Sequence, residues 1–391
     1  MILFHKWNGE MIKVILLIDC SSEFDRKLLR GIMRYSRDNG PWLFYRVPSN
    51  LKWKQNREDW VVEWAGKWQA DAVIGRCDED KVGLLSSLNI PIVLQNNRSR
   101  SDVYSNLTGD YKGTGRMAAE YFHRKLYTSY AFFGVRKVIW SEERKEGFVD
   151  AVSSYNSTCA VFDVNPDVNA SREDVIEWLK SLPKPTALFC CDDAHALFIT
   201  ETCGICGIRI PEDISVLGVD NDDLLCSISD PPISSIELDV ENGGYMTCKF
   251  LHQRIVSGSN MPFDVVIRPL GINERQSSSF HHISDTMIMD MVRYIDENYF
   301  RDISVKDIFS LVPLSRRSLE MKFKKIMGTT VYQYLISVRI EHLAYLLTTT
   351  DRPLADLAFE VGFNDSNNIS RIFKNCKGCT PVEYRRKNCV I

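Results

Sequence analysis

From residue 11 to about residue 275, two hydrophobic periods alternate along the chain. Short apolar runs rich in β-branched and aromatic residues recur: KVILLID (13–19), WLFYRV (42–47), DAVIG (71–75), PIVLQ (91–95), YAFFGV (130–135), STCAVFDV (157–164), TALFCC (186–191) and ISVLGVD (214–220). Between them lie stretches with apolar residues three or four positions apart. One is DRKLLRGIMRYSRD (25–38), with Leu28, Leu29, Ile32, Met33 and Tyr35 on one face; another is GTGRMAAEYFHRKL (113–126). Apolar strands separated by helices predict βαβ units and parallel sheets buried on both faces. Eight such strands exceed what one six-stranded sheet takes, so the pattern predicts two doubly wound lobes.

Beyond residue 275 the alternation stops. The polar, Ser-rich segment NERQSSSFHHISD (273–285) reads as a linker. Every later segment has helical spacing: MIMDMVRYIDENYF (287–300), SVKDIFSLV (304–312), SRRSLEMKFKKIMG (315–328) and the long VYQYLISVRIEHLAYLLTTT (331–350). Ser304 and Ser315 are the expected N-caps, and Gly328 the expected stop. The pattern then repeats as PLADLAFEVGF (353–363), a short turn, and DSNNISRIFKNCKG (365–378). These boundaries divide the chain into an α/β region, 11–275, a linker, 276–286, and an all-α region, 287–388, with two helix–turn–helix units.

The second helix of such a unit enters the DNA major groove with its polar face while its apolar face packs on the scaffold. In the first unit Leu319, Phe323 and Ile326 face inward, which leaves Ser315, Arg316, Arg317, Glu320 and Lys324 as candidate contacts. In the second, Ile369, Ile372 and Phe373 face inward, which leaves Ser366, Asn367, Asn368, Ser370, Arg371 and Lys374. Asn matches the adenine edge; Arg matches guanine or phosphate. Lys374 and, behind it, Lys377, Arg385, Arg386 and Lys387 are expected phosphate contacts. A single helix of this kind can equally be the solvated face of a bundle. Two of them, one connecting helix apart, favour double-stranded DNA as the partner.

Charge supports the division. The chain holds 48 Lys+Arg and 51 Asp+Glu, yet residues 284–391 hold 16 and 13. A modestly basic end on an acidic body points to an anionic partner for that end alone. No apolar run is long enough to span a bilayer, and the first residues lack the pattern of a secretion signal. The chain is therefore expected to be cytoplasmic, away from membranes. The 12 cysteines sit in apolar runs as small hydrophobes. The pairs Cys203/Cys206 and Cys376/Cys379 lack the further ligands of a zinc site. No metal or cofactor is expected.

In open α/β sheets, ligands bind beyond the carboxyl ends of the strands. Here those ends carry Asp19, Arg76, Asp192, Asp193 and Asp220, with Arg144 nearby. Carboxylates and guanidinium groups are paired donors and acceptors suited to hydroxyls. Any one Asp there can also be a helix cap; their repetition favours a ligand cleft. Enzyme motifs are missing: there is no G-x-G-x-x-G, no phosphate-binding G-x-x-x-x-G-K-[ST] and no G-x-S-x-G. His195 alone is a weak case for a catalytic base.

Residues 287–386 resemble the AraC/XylS DNA-binding domain. The likeness rests on LSRRSLEMKFKKIMGTTVYQYLISVRIEHLAYLL (314–347) and on the signature at Ala358, Gly362, Phe363, Arg371, Phe373, Lys374, Gly378, Thr380, Pro381, Tyr384 and Arg385. The first turn departs from the family, with Phe309 and Pro313 where a small residue and a Gly are common. Residues before 275 are similar to LacI/GalR sugar domains and periplasmic sugar-binding proteins, through DRKLLRGIMRY (25–35), GDYKGTGRMAAEY (109–121), RKEGF (144–148), DDAHAL (192–197), IPEDISVLGVDNDDL (210–224) and ISSIELDVENGGYM (233–246).

Together they resemble the XylR-type xylose-operon regulators, a two-lobed α/β periplasmic-binding-protein-like domain followed by an all-α DNA-binding domain. The resemblance implies a homodimeric transcription factor that binds a pentose, D-xylose first, and as an activator works with RNA polymerase. It puts sugar contacts at Arg144, Asp192 and Asp220, and also at Phe24, Arg76, Asp110 and Asp193. Leu238 stands where related domains often place an amide, which leaves the sugar's identity open; another sugar, a purine or a partner protein are the alternative effectors.

Overall fold

The computed structural model describes residues 11–46, 57–77, 82–95, 99–165, 171–259, 261–279, 283, 285–364 and 368–388. Among them, strands form two six-stranded sheets. The first lobe holds β1 (Lys13–Leu17), β2 (Leu43–Arg46), β3 (Ala72–Gly75), β4 (Ile92–Gln95) and β5 (Ser105–Gly109). The second holds β6 (Tyr130–Val135), β7 (Cys159–Val164), β8 (Thr186–Cys190), β9 (Ile214–Val219) and β10 (Ser234–Leu238). The chain then returns through β11 (Asp264–Ile267) to the first sheet and β12 (Pro269–Asn273) to the second. The orders are β2-β1-β3-β4-β5-β11 and β7-β6-β8-β9-β10-β12. The pairs are parallel, except that β12 runs antiparallel to β10. Three crossings therefore join the lobes. The first and the second are each tied to the third, by backbone bonds from Asp110 N to Ile267 O and from Asp239 N to Arg268 O.

The continuous apolar runs become strands buried on both faces, as in β3, β8 and β9. Four strands lie outside the eight expected runs. One of them, β5, reads Ser-Asn-Leu-Thr-Gly and is buried along its whole length. Its Asn and Ser find partners far along the chain: Asn106 Nδ2 donates to Asp264 Oδ1 at 2.8 Å, and Ser105 Oγ accepts from the Phe263 amide at 3.1 Å.

The covering helices are α1 (Glu23–Asn39), α2 (Arg57–Trp68), α3 (Val82–Leu85), α4 (Tyr111–Arg124), α5 (Ile139–Ser154), α6 (Arg172–Ser181), α7 (Asp193–Cys206), α8 (Asp223–Ile228) and α9 (Val240–Ser257). Helices α1 and α9 touch backbone to backbone: a Cβ on Gly31 would sit 1.7 Å from Glu241 O, and one on Gly244 2.2 Å from Leu28 O.

The segment expected as a linker is partly docked. Ser277 and Ser278 are fully buried in a short 3-10 turn, Gln276–Ser278. Ser277 Oγ donates to Val216 O at 2.7 Å and accepts from Ser234 N at 2.8 Å. Serine hydroxyls here close onto strand backbones, so polarity does not mean solvent.

The C-terminal module holds α10 (Thr286–Asn298), α11 (Val305–Ser310), α12 (Arg316–Met327), α13 (Val331–Thr349), α14 (Leu354–Glu360), α15 (Ile369–Lys377) and α16 (Pro381–Asn388). Ser304 and Ser315 cap α11 and α12, and Gly328 ends α12 at φ +69°, as their sequence positions indicate. Two cores form. One gathers Ile288, Met291, Ile308, Leu319 and Phe323; the other gathers Leu343, Leu357, Ala358, Ile369 and Phe373. Helix α13 serves both, with Leu335 in the first and Ile340 in the second.

The buried Arg339 of α13 locks the two units together. Its Nε donates to Tyr299 O at 2.8 Å and its Nη2 to Arg301 O at 2.9 Å, and the guanidinium lies 5.8 Å from the Phe363 ring. Gly362, at φ +88°, passes so close that a Cβ would lie 2.3 Å from Tyr299 O. Gly362→Ala therefore combines left-handed backbone strain with a steric clash, and should cost the module at least about 1–3 kcal/mol. Calorimetry should show a lowered transition for the helical module and an unchanged one for the lobes.

Candidate functional site

The carboxyl ends of the strands converge on a band of charged and aromatic groups. Arg144 of α5 sits at its centre, only 3% exposed. Its guanidinium lies 5.6 Å from the Tyr111 ring and 5.5 Å from the Trp140 ring. Nη1 donates to Cys191 O, and Nη2 lies 3.6 Å from Asp220 Oδ1, an ion pair too long for a hydrogen bond. In the first lobe Arg76, at the end of β3, donates to the buried Asp25 at 3.0 Å. Gln95 ends β4 and is also buried.

These groups leave polar atoms unused. Asp25 Oδ2, Arg76 Nε, Gln95 Oε1, Arg144 Nε and Asp220 Oδ1 are shielded from solvent and make no hydrogen bond of normal geometry among the described residues, although the Gln95 amide approaches the Asp25 carboxyl. Buried polar atoms left unpaired cost about 1–3 kcal/mol each, so a cluster of them calls for an explanation. Three are acceptors and two are donors. That is a hydroxyl-binding set, because a hydroxyl both donates and accepts.

The turn after β9 shapes one side. Asp220 and Asn221 have φ of +100° and +49°, which costs non-glycine residues about 1–3 kcal/mol each. The turn is pinned by Asp220 N to Ile236 O at 2.9 Å, Asn221 N to Ser235 Oγ at 3.0 Å and Arg275 Nη2 to Asn221 Oδ1 at 2.9 Å. Lys27, on the opposite lobe, donates to Asp220 O at 2.9 Å and Asn221 O at 3.3 Å. Arg26 reaches Asp222 at 3.2 Å. Burial lifts the Asp220 carboxyl to about 6 against the pull of Arg144.

The other expected residues take different places. Asp192 caps α7, accepting from His195 N at 2.8 Å and pairing with His195 Nδ1 at 2.6 Å. Burial opposes charge on His195, but the Asp192 carboxylate bonded to its Nδ1 outweighs it and raises the imidazole above its ordinary value. Cys191, Asp192 and His195 bring donor atoms within 4.8 Å of one another, a spacing that fits a metal. The positive N-terminus of α7 and the nearby Arg144 both oppose a cation there.

Asp193, expected as a ligand contact, points inward instead. Its Oδ1 accepts from Ser235 Oγ at 2.6 Å and its Oδ2 from Asp222 N at 2.8 Å, so both oxygens are spent on holding the β9 turn. Asp110 is exposed and caps α4 through Gly113 N at 2.9 Å. Phe24 is half-buried and packs against the main core. Leu238 is 4% exposed and belongs to that core, so its apolar character serves packing. Sequence reasoning missed Asp25, Gln95, Tyr111 and Trp140. The first sits inside a helical pattern and the second in a strand pattern, where polarity alone does not reveal which lobe faces which.

In the helical module Ser315, Arg316, Arg317 and Lys324 are exposed along α12, and Glu320 is half-buried. Phe309, the departure in the first turn, is buried, and the Arg316 guanidinium lies 5.7 Å from its ring. Around α15, Asn368, Ser370, Arg371 and Lys374 are exposed, and Asn368 makes no side-chain cap. Ser366 and Asn367 lie outside the described residues. Two of the expected phosphate contacts behind α15 have partners within the module. Lys377 pairs with Glu341 at 2.6 Å, and Arg385 donates to Leu347 O at 3.2 Å and Arg352 O at 2.6 Å. Both side chains fasten the last helices to α13. Cys203, Cys206, Cys376 and Cys379 are free thiols.

The raised Asp220 carboxyl generates a pH test. Its stabilising contribution is present below about pH 4 and is lost as pH rises through about 6. Asp220→Asn should therefore remove this loss, so that thermal melts of parent and variant diverge between those pH values, with the variant the more stable above them.

Two families of known proteins match along the chain. Residues 119–278 match the model of a periplasmic binding protein-like domain, and residues 310–387 that of a helix-turn-helix domain. The chain is similar to a xylose operon regulatory protein of Haemophilus influenzae, 25% identical over 96% of this chain and 98% of the relative. It is likewise similar to one of Escherichia coli K12, 24% identical over 96% and 97%. A solved structure described as the xylose-binding transcription activator xylR superposes with a TM-score of 0.61, at 22% identity, over 97% of this chain and 99% of that one. These are families of regulators, not enzymes. Among the described residues no helix is long and apolar enough to cross a membrane. In architecture the chain is XylR-like: a periplasmic-binding-protein-like domain followed by an AraC-type helix-turn-helix domain, the arrangement of a transcription regulator.

Proposed function

We propose that this chain is a cytoplasmic activator of sugar-use genes, switched by a neutral monosaccharide held between its lobes. The carrying observation is the set of unpaired acceptors and donors on Asp25, Gln95, Asp220, Arg76 and Arg144. Three acceptors beside two guanidinium donors suit the hydroxyls of a sugar. A phosphate has acceptors only and would meet the carboxylates unfavourably. Trp140 and Tyr111, already stacked on Arg144, add apolar surface for the sugar's C–H face. D-xylose is the first candidate, because the full-length relatives are named for the xylose operon.

The DNA contacts are the exposed positions of α12 and α15, with Arg316, Arg317, Asn368, Ser370 and Arg371 foremost. Two units per chain suit successive stretches of one groove face, and a homodimer suits paired half-sites. RNA polymerase is then the partner at the promoter. Sugar binding acts through its differential affinity for the closed lobes.

A thermal-shift panel of D-xylose, L-arabinose, D-ribose, other monosaccharides and a purine tests the reading. At a hundredfold excess over its dissociation constant the effector adds about 2.7 kcal/mol to stability. A shift with one sugar names the signal; a shift with the purine alone replaces the reading. The two activities should also separate. Asp220→Ala should abolish the sugar shift and leave basal DNA binding. Arg371→Ala should weaken site-specific binding by about 1–3 kcal/mol and leave sugar affinity intact. A folded variant that loses both activities would sink the modular account.

A further inference from the structure

We propose that Lys27, Glu237 and Tyr345 form the joint through which lobe closure reaches the DNA-binding module. The inference rests on the reading of the cleft as an effector site. Three bodies meet at these residues. Lys27 lies on α1 of the first lobe, Glu237 on β10 of the second, and Tyr345 on α13 of the helical module.

Lys27 Nζ holds the carbonyls of Asp220 and Asn221 across the cleft and lies 3.6 Å from Glu237 Oε1. The other oxygen, Glu237 Oε2, accepts from Tyr345 Oη at 2.9 Å and from Asn273 Nδ2 at 3.0 Å. One carboxylate thus faces the cleft with one oxygen and α13 with the other. The Lys27 and Glu237 side chains are 14% and 21% exposed, sheltered enough to escape much of the screening that weakens surface pairs. Burial and the Glu237 carboxylate push the Tyr345 hydroxyl up to about 12, so it stays a donor.

The surroundings suit a joint. The Asp220–Asn221 turn held by Lys27 is strained, so a closure that moves Lys27 acts on it directly. Opposite Glu237 in the β10–β12 pairing stands Gly271, with an irregularity in register just beyond it. A Cβ on Gly271 would lie 2.8 Å from Tyr345 Cδ2, so the ring is seated directly on the strand backbone. Beside it, a cleft of about 580 Å³ lined by Lys27, Glu237, Leu270 and Thr348 leaves the end of α13 room to move. Because α13 carries residues of both helical cores, a displacement of Tyr345 reaches both reading helices.

Hydrogen exchange of the amides of residues 331–349 in the full-length protein tests the joint. Tyr345→Phe keeps the ring on Gly271 and removes the hydroxyl; Lys27→Met cuts the other end. In the ligand-free protein each should speed exchange on the order of threefold, and the double variant should exchange no faster than the singles, the mark of one shared path. Arg124→Met breaks an exposed ion pair to Glu341, 3.1 Å, at the same domain junction but off the path, so its effect should simply add. An unchanged α13 in Lys27→Met, or additive effects of Lys27→Met and Tyr345→Phe, overturns the proposal.

A second arm adds D-xylose. The parent should show both a thermal shift and altered exchange in 331–349; Tyr345→Phe should keep the first and lose the second. Altered exchange that persists in Tyr345→Phe also overturns the joint. No thermal shift in the parent would count against D-xylose as effector, while the ligand-free arm still decides the joint.

Discussion

Burying the Arg144 guanidinium without giving it a full partner is the constraint around which the N-terminal half is organised. A cation 3% exposed needs compensation, and the fold supplies it piecemeal. Two aromatic faces, one strand-end carbonyl and one carboxylate at ion-pair distance share the charge. Each contribution is partial, so one nitrogen remains available. The same incompleteness recurs at Asp25, Arg76, Gln95 and Asp220. Such a cleft is costly by itself and suited to a ligand that completes it.

The carboxylates of the cleft differ in role because their neighbours differ. Asp193 is saturated by Ser235 and Asp222 and works as a structural staple. Asp192 is held by His195 and the first turn of α7. Asp220 keeps an oxygen unpaired beside Arg144. Three acidic side chains at adjacent strand ends thus differ in how far their oxygens are already taken. What distinguishes them is how many donors reach each one.

In the helical module, one helix does the joining. Helix α13 fills two cores, and its Arg339 closes the turn of the first unit's neighbour onto Gly362. Lys377 and Arg385 then tie the last two helices to it. Basic residues near the C-terminus are therefore spent on geometry, while Arg371 and Lys374 stay exposed on α15. Tyr345 joins this same helix to the strand that borders the cleft.

Hydrophobic periodicity alone determined the two architectures and their order. Strongly periodic elements are set by which side chains must leave water, and that information is local. The β8 and β9 runs, the caps Ser304 and Ser315, and the inward faces of α12 and α15 were all legible. Strand β5 was not, because its buried Ser and Asn are satisfied by partners 158 residues away. Nor was the difference between Asp193 and Asp220, or the cleft role of Asp25. Tertiary structure decided those, since a polar group's function depends on which donors reach it and how much water it keeps, and both are set by residues far apart in the chain.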